Sequence, residues 1–227
     1  MKIFASDYDG TFIRSNPVSG EIENNIREVA RWRASGNLFL FATGRDLRDM
    51  IDFMYDGLVC DYYVCQNGGL IATQSGEIIL EQVLPQDTAD EIMAMISGIT
   101  AKNLWSSNSK IAFEMESSEV ALKTAEMFAG KLEGKATVFA NEQIVDINAL
   151  GVTKATGIAL IAKKYNIPDR KIYCMGDSHN DLPMLMAYNG ITLPGVDARV
   201  RSEADIVHSS VGSTLKWLTS INMGGLS

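Results

Sequence analysis

Apolar runs at 2–6, 38–42, 61–65 and 171–175 recur along the chain, each five residues long and each stopping at a polar or glycine-bearing turn. Runs of that length bounded by turn residues read as buried strands. Amphipathic stretches lie between them. Residues 20–35 carry Ile22, Ile26, Val29, Ala30 and Arg33 on one side, four of them apolar at the spacing of a core-facing helix, and Gly36 ends the pattern. A second helix is predicted over about 45–55. A third begins near Thr153 and carries Ile158, Ile161 and Tyr165. Strands alternating with helices predict an α/β fold: a Rossmann-like parallel sheet with helices on both faces. Gln66-Asn67-Gly68-Gly69 is a turn signal, followed by a hairpin with arms at 70–73 and 77–83. Further strands are expected at 190–193 and 204–207, and a closing helix at 214–221.

From 84 to 149 the rhythm changes. A helix near 87–98, a strand at 110–116, a helix near 117–132 and strands near 136–140 and 143–148 predict a small α+β unit of antiparallel strands. The chain therefore divides into a core of residues 1–83 and 150–227 and an inserted unit of 84–149. At 227 residues it can bury a core and still hold a modest second domain.

Charge narrows the partners. The formal net charge of −8 opposes nucleic-acid binding, which rests on clustered Lys and Arg, and gives no membrane-surface signature. No apolar stretch approaches the roughly 18 residues that span a bilayer. The N-terminus enters the first strand without a signal-peptide pattern, so a cytoplasmic protein is expected. Cys60, Cys65 and Cys174 fall in or beside apolar strands, at spacings of neither a zinc site nor a disulfide framework, and are expected as buried reduced thiols. His179 and His208 stand apart from each other and are not expected to bind metal.

The chemistry lies where two strands run out. The first run ends on Asp7-Tyr8-Asp9-Gly10-Thr11, and the run at 171–175 ends on Gly176-Asp177-Ser178-His179-Asn180-Asp181. Open α/β sheets bind ligands at such strand ends. Asp7 and Asp177 are hard oxygen ligands of the kind Mg²⁺ prefers, and that ion takes only one or two protein carboxylates beside waters and a phosphate oxygen. A carboxylate held beside Mg²⁺ and a phosphate can act as a nucleophile, which makes Asp7 the candidate. Asp9, in a turn that Gly10 permits, is placed to protonate a leaving alcohol and then to activate water.

Four motifs together resemble the haloacid dehalogenase-like hydrolases, and within them the Cof-type phosphatases, whose cap domain is inserted after the third core strand. Asp7-Tyr8-Asp9-Gly10-Thr11 resembles the first motif, Ala42-Thr43-Gly44-Arg45 the second, Lys154 in Gly151-Val152-Thr153-Lys154-Ala155-Thr156-Gly157 the third, and Gly176-Asp177-Ser178-His179-Asn180-Asp181 the fourth. The third departs from the family pattern, since Ala155 follows the lysine where a glycine is usual. The resemblance implies Asp7 as nucleophile and Asp9 as acid/base and backbone-carbonyl metal ligand. It also implies Asp177 as the other side-chain ligand, with Asp181 supporting the metal site. Thr43, with Gly44 beside it, would bind the transferring phosphoryl group, Lys154 would neutralise its charge and that of Asp7, and Asn180 would orient Asp7 or the phosphate. By the same resemblance, Asn67-Gly68 is a site-edge loop.

The expected activity is a Mg²⁺-dependent phosphatase hydrolysing a small organic phosphomonoester, a sugar phosphate or a phosphoglycolate-like ester, through an aspartyl phosphate. The alternatives are a phosphotransferase or phosphomutase using the same intermediate, or a non-catalytic sugar-phosphate-binding protein, although no motif residue is lost. Residues 84–149 hold five lysines, no arginine and ten carboxylates, which disfavours a mutase that must grip a second phosphate with Arg forks. Trp105, Ser106, Asn108 and Asn141 are the candidates for touching the leaving group.

Overall fold

The computed structural model describes residues 1–52 and 54–223. In chain order the elements are β1 (Ile3–Ser6), α1 (Glu21–Ala34), β2 (Leu38–Ala42), α2 (Leu47–Asp52), β3 (Tyr62–Cys65), β4 (Leu70–Thr73), β5 (Ile78–Glu81), α3 (Gln86–Ile96), β6 (Leu104–Ser106), β7 (Lys110–Glu114), α4 (Ser118–Lys131), β8 (Ala136–Asn141), β9 (Ile144–Ala149), α5 (Lys154–Lys164), β10 (Ile172–Gly176), α6 (Leu182–Ala187), β11 (Asn189–Thr192), α7 (Ala198–Glu203), β12 (Ile206–Val207) and α8 (Val211–Met223). Position 53 of the helix expected over 45–55, and positions 224–227 of the expected core, lie outside the described residues.

The larger sheet has eight strands in the order β12-β11-β10-β1-β2-β3-β4-β5. From β12 to β3 every pairing is parallel, and the hairpin β4–β5 adds two antiparallel strands at one edge. The period of two along each strand sorts the core into two layers. Phe4, Phe39, Phe41, Tyr63 and Met175 point to the side covered by Val29 and Trp32 of α1 and by Val211, Leu215 and Leu218 of α8. Ile3, Ala5, Leu40, Val64 and Cys174 point to the other side, covered by Ile158 and Ile161 of α5 and Met184 of α6. Helices therefore cover both faces. Each fully buried aromatic or aliphatic side chain in these layers contributes about 1.5–3 kcal/mol.

The buried face of α1 is not the stripe the sequence suggests. Glu21, Asn25, Glu28, Val29 and Trp32 are buried, while Ala30 is exposed and Ile22, Ile26 and Arg33 are half-buried. Hydrogen bonding is the reason. The Asn25 side chain donates to Phe12 O (3.2 Å) and accepts from Gly212 N (2.7 Å), and Trp32 Nε1 donates to Leu38 O (2.8 Å). The helix is thereby rotated to satisfy loop backbone that would otherwise be buried without partners.

The smaller sheet, β6-β7-β9-β8, is antiparallel throughout. Ile111 and Phe113 of β7 and Val145 and Ile147 of β9 pack with Ile92 of α3 and Phe128 of α4. Alternation then turns Lys110 and Ala112 of β7, and Ile144, Asp146 and Asn148 of β9, to the opposite face. That face meets the carboxyl edge of the larger sheet. Lys110 Nζ donates to Gly44 O (2.8 Å), Asn148 Nδ2 to Gln66 O (2.8 Å) and Asn67 Nδ2 to Asp146 Oδ2 (3.2 Å).

The three cysteines are free and buried. Burial pushes the Cys60 thiol up to about 12 and raises those of Cys65 and Cys174 as well. Among the described residues no helix is long and apolar enough to cross a membrane.

Candidate active site

The first acidic turn is fixed by a tyrosine. Asp7 leaves β1 with its N–H still donating to Met175 O of β10 (2.9 Å), so it stays in ladder register at the sheet edge. Tyr8 then packs edge-on against Phe41, ring centres 5.2 Å apart, which leaves Asp7 and Asp9 flanking a buried anchor. Gly10 turns the chain back at φ +78°, and a Cβ there would stand 2.3 Å from Asp177 Oδ2. The two acidic turns touch only because position 10 has no side chain. Thr11 Oγ1 completes the junction by donating to Asp177 Oδ1 (2.5 Å).

Lys154 lies beneath Asp7. It opens α5, whose start is capped by Thr153 with Thr156 in a reciprocal pair, and its side chain is wholly buried. Nζ donates to Asp7 Oδ1 and to Asp181 Oδ1, both at 2.7 Å. A lysine at a helix N-terminus opposes the helix dipole unless it has an anionic partner, and here it has two. Burial works against its charge, but Asp181 and Asp7 outweigh burial and hold the ammonium above the usual lysine range. Asp181 Oδ2 accepts from the N–H groups of Asp177 and Ser178, both at 3.0 Å. Asp181 thus locks the second acidic turn and joins it to Lys154.

Three carboxylates face this one ammonium. Asp7, Asp177 and Asp181 each bring an oxygen within 4.8 Å of the others. Burial raises the Asp7 carboxyl well above its usual range, with Lys154 opposing and Asp181 and Asp177 adding to the rise. Asp177 is pushed up to about 6 by burial first and by Asp181 second, against the Thr11 hydrogen bond and Lys154. A surplus of buried negative charge with hard oxygen donors suits a small divalent cation, so the residues present fit such an ion.

Thr43 follows β2, and its N–H donates to Val64 O (2.9 Å). It is buried and lines the same cavity as Asp7, Gly44, Asp177 and Asn180. Asn180 Nδ2 donates to Asn67 Oδ1 (3.1 Å), and its Oδ1 accepts from Ser178 (2.7 Å). Among the described hydrogen bonds it makes none to Asp7. The eight residues given catalytic, metal or phosphoryl roles from the sequence therefore gather at one sheet edge. Asp9 is turned away from the cluster, gripped by Arg45 through Nε and Nη2.

The cavity, about 590 Å³, opens between this edge and the smaller sheet. Trp105, Ser106 and Asn141 line it, whereas Asn108 instead accepts from Leu84 N through its carbonyl (2.8 Å). Sequence reading gave no role to Arg45, Lys110 or Asp146. For Arg45 a signal existed, its place beside Thr43 and Gly44. Asn67 adopts a left-handed backbone (φ 55°), which asparagine tolerates, and it holds Asn180 on one side and Asp146 and Asn148 on the other.

A family model described as haloacid dehalogenase-like hydrolase matches residues 4–128 and 115–212. Among curated proteins, the chain is 23% identical over 227 residues to a 5-amino-6-(5-phospho-D-ribitylamino)uracil phosphatase, YcsE of Bacillus subtilis, covering 91% of this chain and 89% of that one. It is 26% identical over 216 residues to a phosphoglycolate phosphatase of Nitrosopumilus maritimus, covering 92% and 90%. Among solved structures, BT1666 of Bacteroides thetaiotaomicron, described among the phosphatases of the HAD superfamily, superposes with a TM-score of 0.75 at 22% identity over 98% of this chain and 95% of that one.

Proposed function

The chain belongs to the haloacid dehalogenase-like hydrolase family, and we propose that within it this protein is a Mg²⁺-dependent phosphatase of a small organic phosphomonoester, working through an aspartyl phosphate on Asp7. One observation carries the reading: Asp7 sits in a cavity with an ammonium 2.7 Å behind it and a second, half-buried carboxylate, Asp177, against the turn that follows it. In this reading residues 1–83 and 150–227 form the catalytic core, and 84–149 form a cap that encloses the substrate.

Asp7, Asp177 and the Asp9 carbonyl would hold the ion, with Asp181 fixing the turn behind them. Bound there, Mg²⁺ supplies positive charge to the phosphoryl oxygens and offsets that of the carboxylates. Lys154 occupies one Asp7 oxygen and favours the charged form of the group against burial, leaving the other oxygen to attack phosphorus. The Thr43 hydroxyl and the Asn180 amide supply donors to the equatorial oxygens, where positioning and charge stabilisation make up most of phosphoryl-transfer catalysis.

In the first step the Asp7 oxygen bonds to phosphorus, the ester P–O bond breaks, and the leaving oxygen takes a proton from Asp9. In the second a water gives its proton to Asp9 and bonds to phosphorus, the P–O bond to Asp7 breaks, and inorganic phosphate leaves.

The test is release of inorganic phosphate from a panel of sugar phosphates, phosphoglycolate, nucleotides and pyridoxal phosphate, each with Mg²⁺ and with EDTA. Metal-dependent release from a narrow group is the expected result. Silence across the panel from folded, Mg²⁺-binding protein would move the reading to a phosphotransferase, which transfer to an added sugar alcohol would detect.

A further inference from the structure

A chain of side-chain amides runs from the second sheet to the fourth motif. Asn67 Nδ2 donates to Asp146 Oδ2 (3.2 Å) and to Asn148 Oδ1 (3.3 Å), both on β9. Asn67 Oδ1 accepts from Asn180 Nδ2 (3.1 Å), and Asn180 Oδ1 accepts from the Ser178 hydroxyl (2.7 Å). Asn67, Asp146, Asn148 and Asn180 are all buried, so each must find its partners among the others.

A side-chain amide can turn end for end, exchanging donor for acceptor, and its neighbours decide which end goes where. The order is set on β9. A carboxylate only accepts, and Asp146 Oδ1 lies 3.1 Å from the Lys110 ammonium, which leaves Oδ2 to Asn67. Asn148 turns its nitrogen to the backbone carbonyls of Gln66 (2.8 Å) and Ser109 (3.3 Å), and so it too shows Asn67 an oxygen. These two acceptors draw the nitrogen of Asn67 and leave its oxygen for Asn180. The far end imposes nothing, because the Ser178 hydroxyl both gives and takes and has a second acceptor in Asp181 Oδ2 (3.2 Å). Asn180 therefore answers Asn67 with nitrogen. One N–H goes to Asn67, and among the described hydrogen bonds the other has no protein acceptor. That nitrogen borders the second motif: a Cβ on Gly44 would stand 3.3 Å from Asn67 Oδ1, 3.7 Å from Asp146 Oδ2 and 3.8 Å from Asn180 Nδ2.

Resting on the phosphatase reading, we infer that Asp146 is a positioning residue for phosphoryl transfer, acting from the second sheet through Asn67 to keep an N–H of Asn180, and not its carbonyl oxygen, available to the phosphoryl group. Reversed, the amide would set an acceptor against phosphoryl oxygens that need donors. The transferring group is common to every ester, so the loss falls on all of them alike.

Asp146→Asn tests the sense of the chain. The Lys110 ammonium takes the new carbonyl, since charge-assisted bonds are the stronger; the new NH₂ then faces Asn67, which must turn over, and Asn180 after it. In the isotope-labelled full chain, treated with EDTA, the side-chain amide NMR signals of Asn67 and Asn180 should both move. Adding Lys110→Met frees the new carbonyl for Asn67 and should bring the Asn180 signals back toward their wild-type positions. With Mg²⁺, kcat of Asp146→Asn on a sugar phosphate, phosphoglycolate and p-nitrophenyl phosphate should fall at least about tenfold, by a similar factor on each, with KM held within about twofold.

Asn180 signals unmoved by Asp146→Asn, or not returned by Lys110→Met, would overturn the ordering. Moved signals with kcat unchanged, or a loss confined to one ester, would overturn the positioning role. Each of these leaves the phosphatase reading intact. Wild-type protein that releases no phosphate from any ester would overturn that reading and the role with it, while the amide signals still decide the ordering. Should Asp146→Asn not fold, Asn67→Gly accepts the left-handed backbone at φ 55° and cuts the chain in its middle. The same uniform fall in kcat is expected there, and an unchanged kcat would overturn the role.

Discussion

Arg45 holds both carboxylate oxygens of Asp9, Nε to Oδ2 and Nη2 to Oδ1, each at 2.7 Å. The pair joins the second motif to the first across a half-open cavity mouth, with side chains 37% and 53% exposed. A planar fork fixes a carboxylate's orientation as a lysine cannot. Arg45→Lys should therefore lower kcat about tenfold on alkyl phosphates, whose leaving oxygen needs the Asp9 proton, and less on p-nitrophenyl phosphate, whose leaving group does not. Equal losses on both would show that the fork does not serve proton transfer.

Asp7→Asn removes the attacking charge at nearly constant volume. Turnover should drop by at least about a thousandfold, with thermal unfolding still cooperative. Asp9→Asn should also lose most activity, yet accumulate a phosphoenzyme from an activated ester, visible as an added phosphate in the intact mass. Near wild-type turnover by the Asp7 variant would sink the nucleophile assignment, and an Asp9 variant identical to it would leave the acid/base role unsupported.

Lys154→Met keeps the length of the stem and deletes the charge. Asp7 and Asp181 then lie buried with no ammonium, and breaking a buried ion pair costs about 3–5 kcal/mol. Urea unfolding of metal-free protein should show that loss in its midpoint, and added Mg²⁺ should recover part of it. A midpoint unmoved by the substitution would mean that the carboxylates are not held as anions.

Gly10→Ala meets two obstacles at once, a left-handed backbone and Asp177 Oδ2 at 2.3 Å. The second acidic turn must shift to admit the methyl group, so Mg²⁺ affinity should fall at least about tenfold by calorimetry, beyond the roughly 1 kcal/mol of backbone strain alone. Unchanged affinity would place the ion elsewhere.

Asp177, pushed up to about 6 from 3.8, binds a proton more tightly folded than unfolded. The stability it lends is complete below about 3.8 and is lost as pH rises through about 6, where the ionised carboxylate meets its neighbours without a cation. Mg²⁺ favours that ionised form. The rise in melting temperature on adding Mg²⁺ to EDTA-treated protein should consequently be larger at pH 7 than at pH 5. Equal increments at the two values would exclude Asp177 as a ligand.

The parallel core and the meeting of the first, second and fourth motifs were readable because each of those three follows an apolar strand, and a parallel sheet brings such ends to one edge, while the third opens α5. Elements with little burial left weaker marks. β6 is three residues long and exposed throughout, while α6 and α7 have six residues each. The face of α1 was misread because Asn25 and Glu21 are buried for their hydrogen bonds, which periodicity scores as polar. Lys110 and Asp146 meet through the register of two strands separated by a helix and a further strand, and no local pattern encodes that register. The hold of Arg45 on Asp9 depends on two turns meeting in space, so its adjacency to Thr43 gave the place and not the partner.

The buried thiols turn the fold into its own clock. Cys174 lies in the strand next to β1, and Cys65 ends β3 at the start of the turn that carries Asn67. Raised thiol values leave little thiolate in the closed protein, so an alkylating reagent must wait for each segment to open. Counting added masses against time would report opening of the sheet centre separately from opening of the seam beside the second sheet, without any label being engineered into the chain.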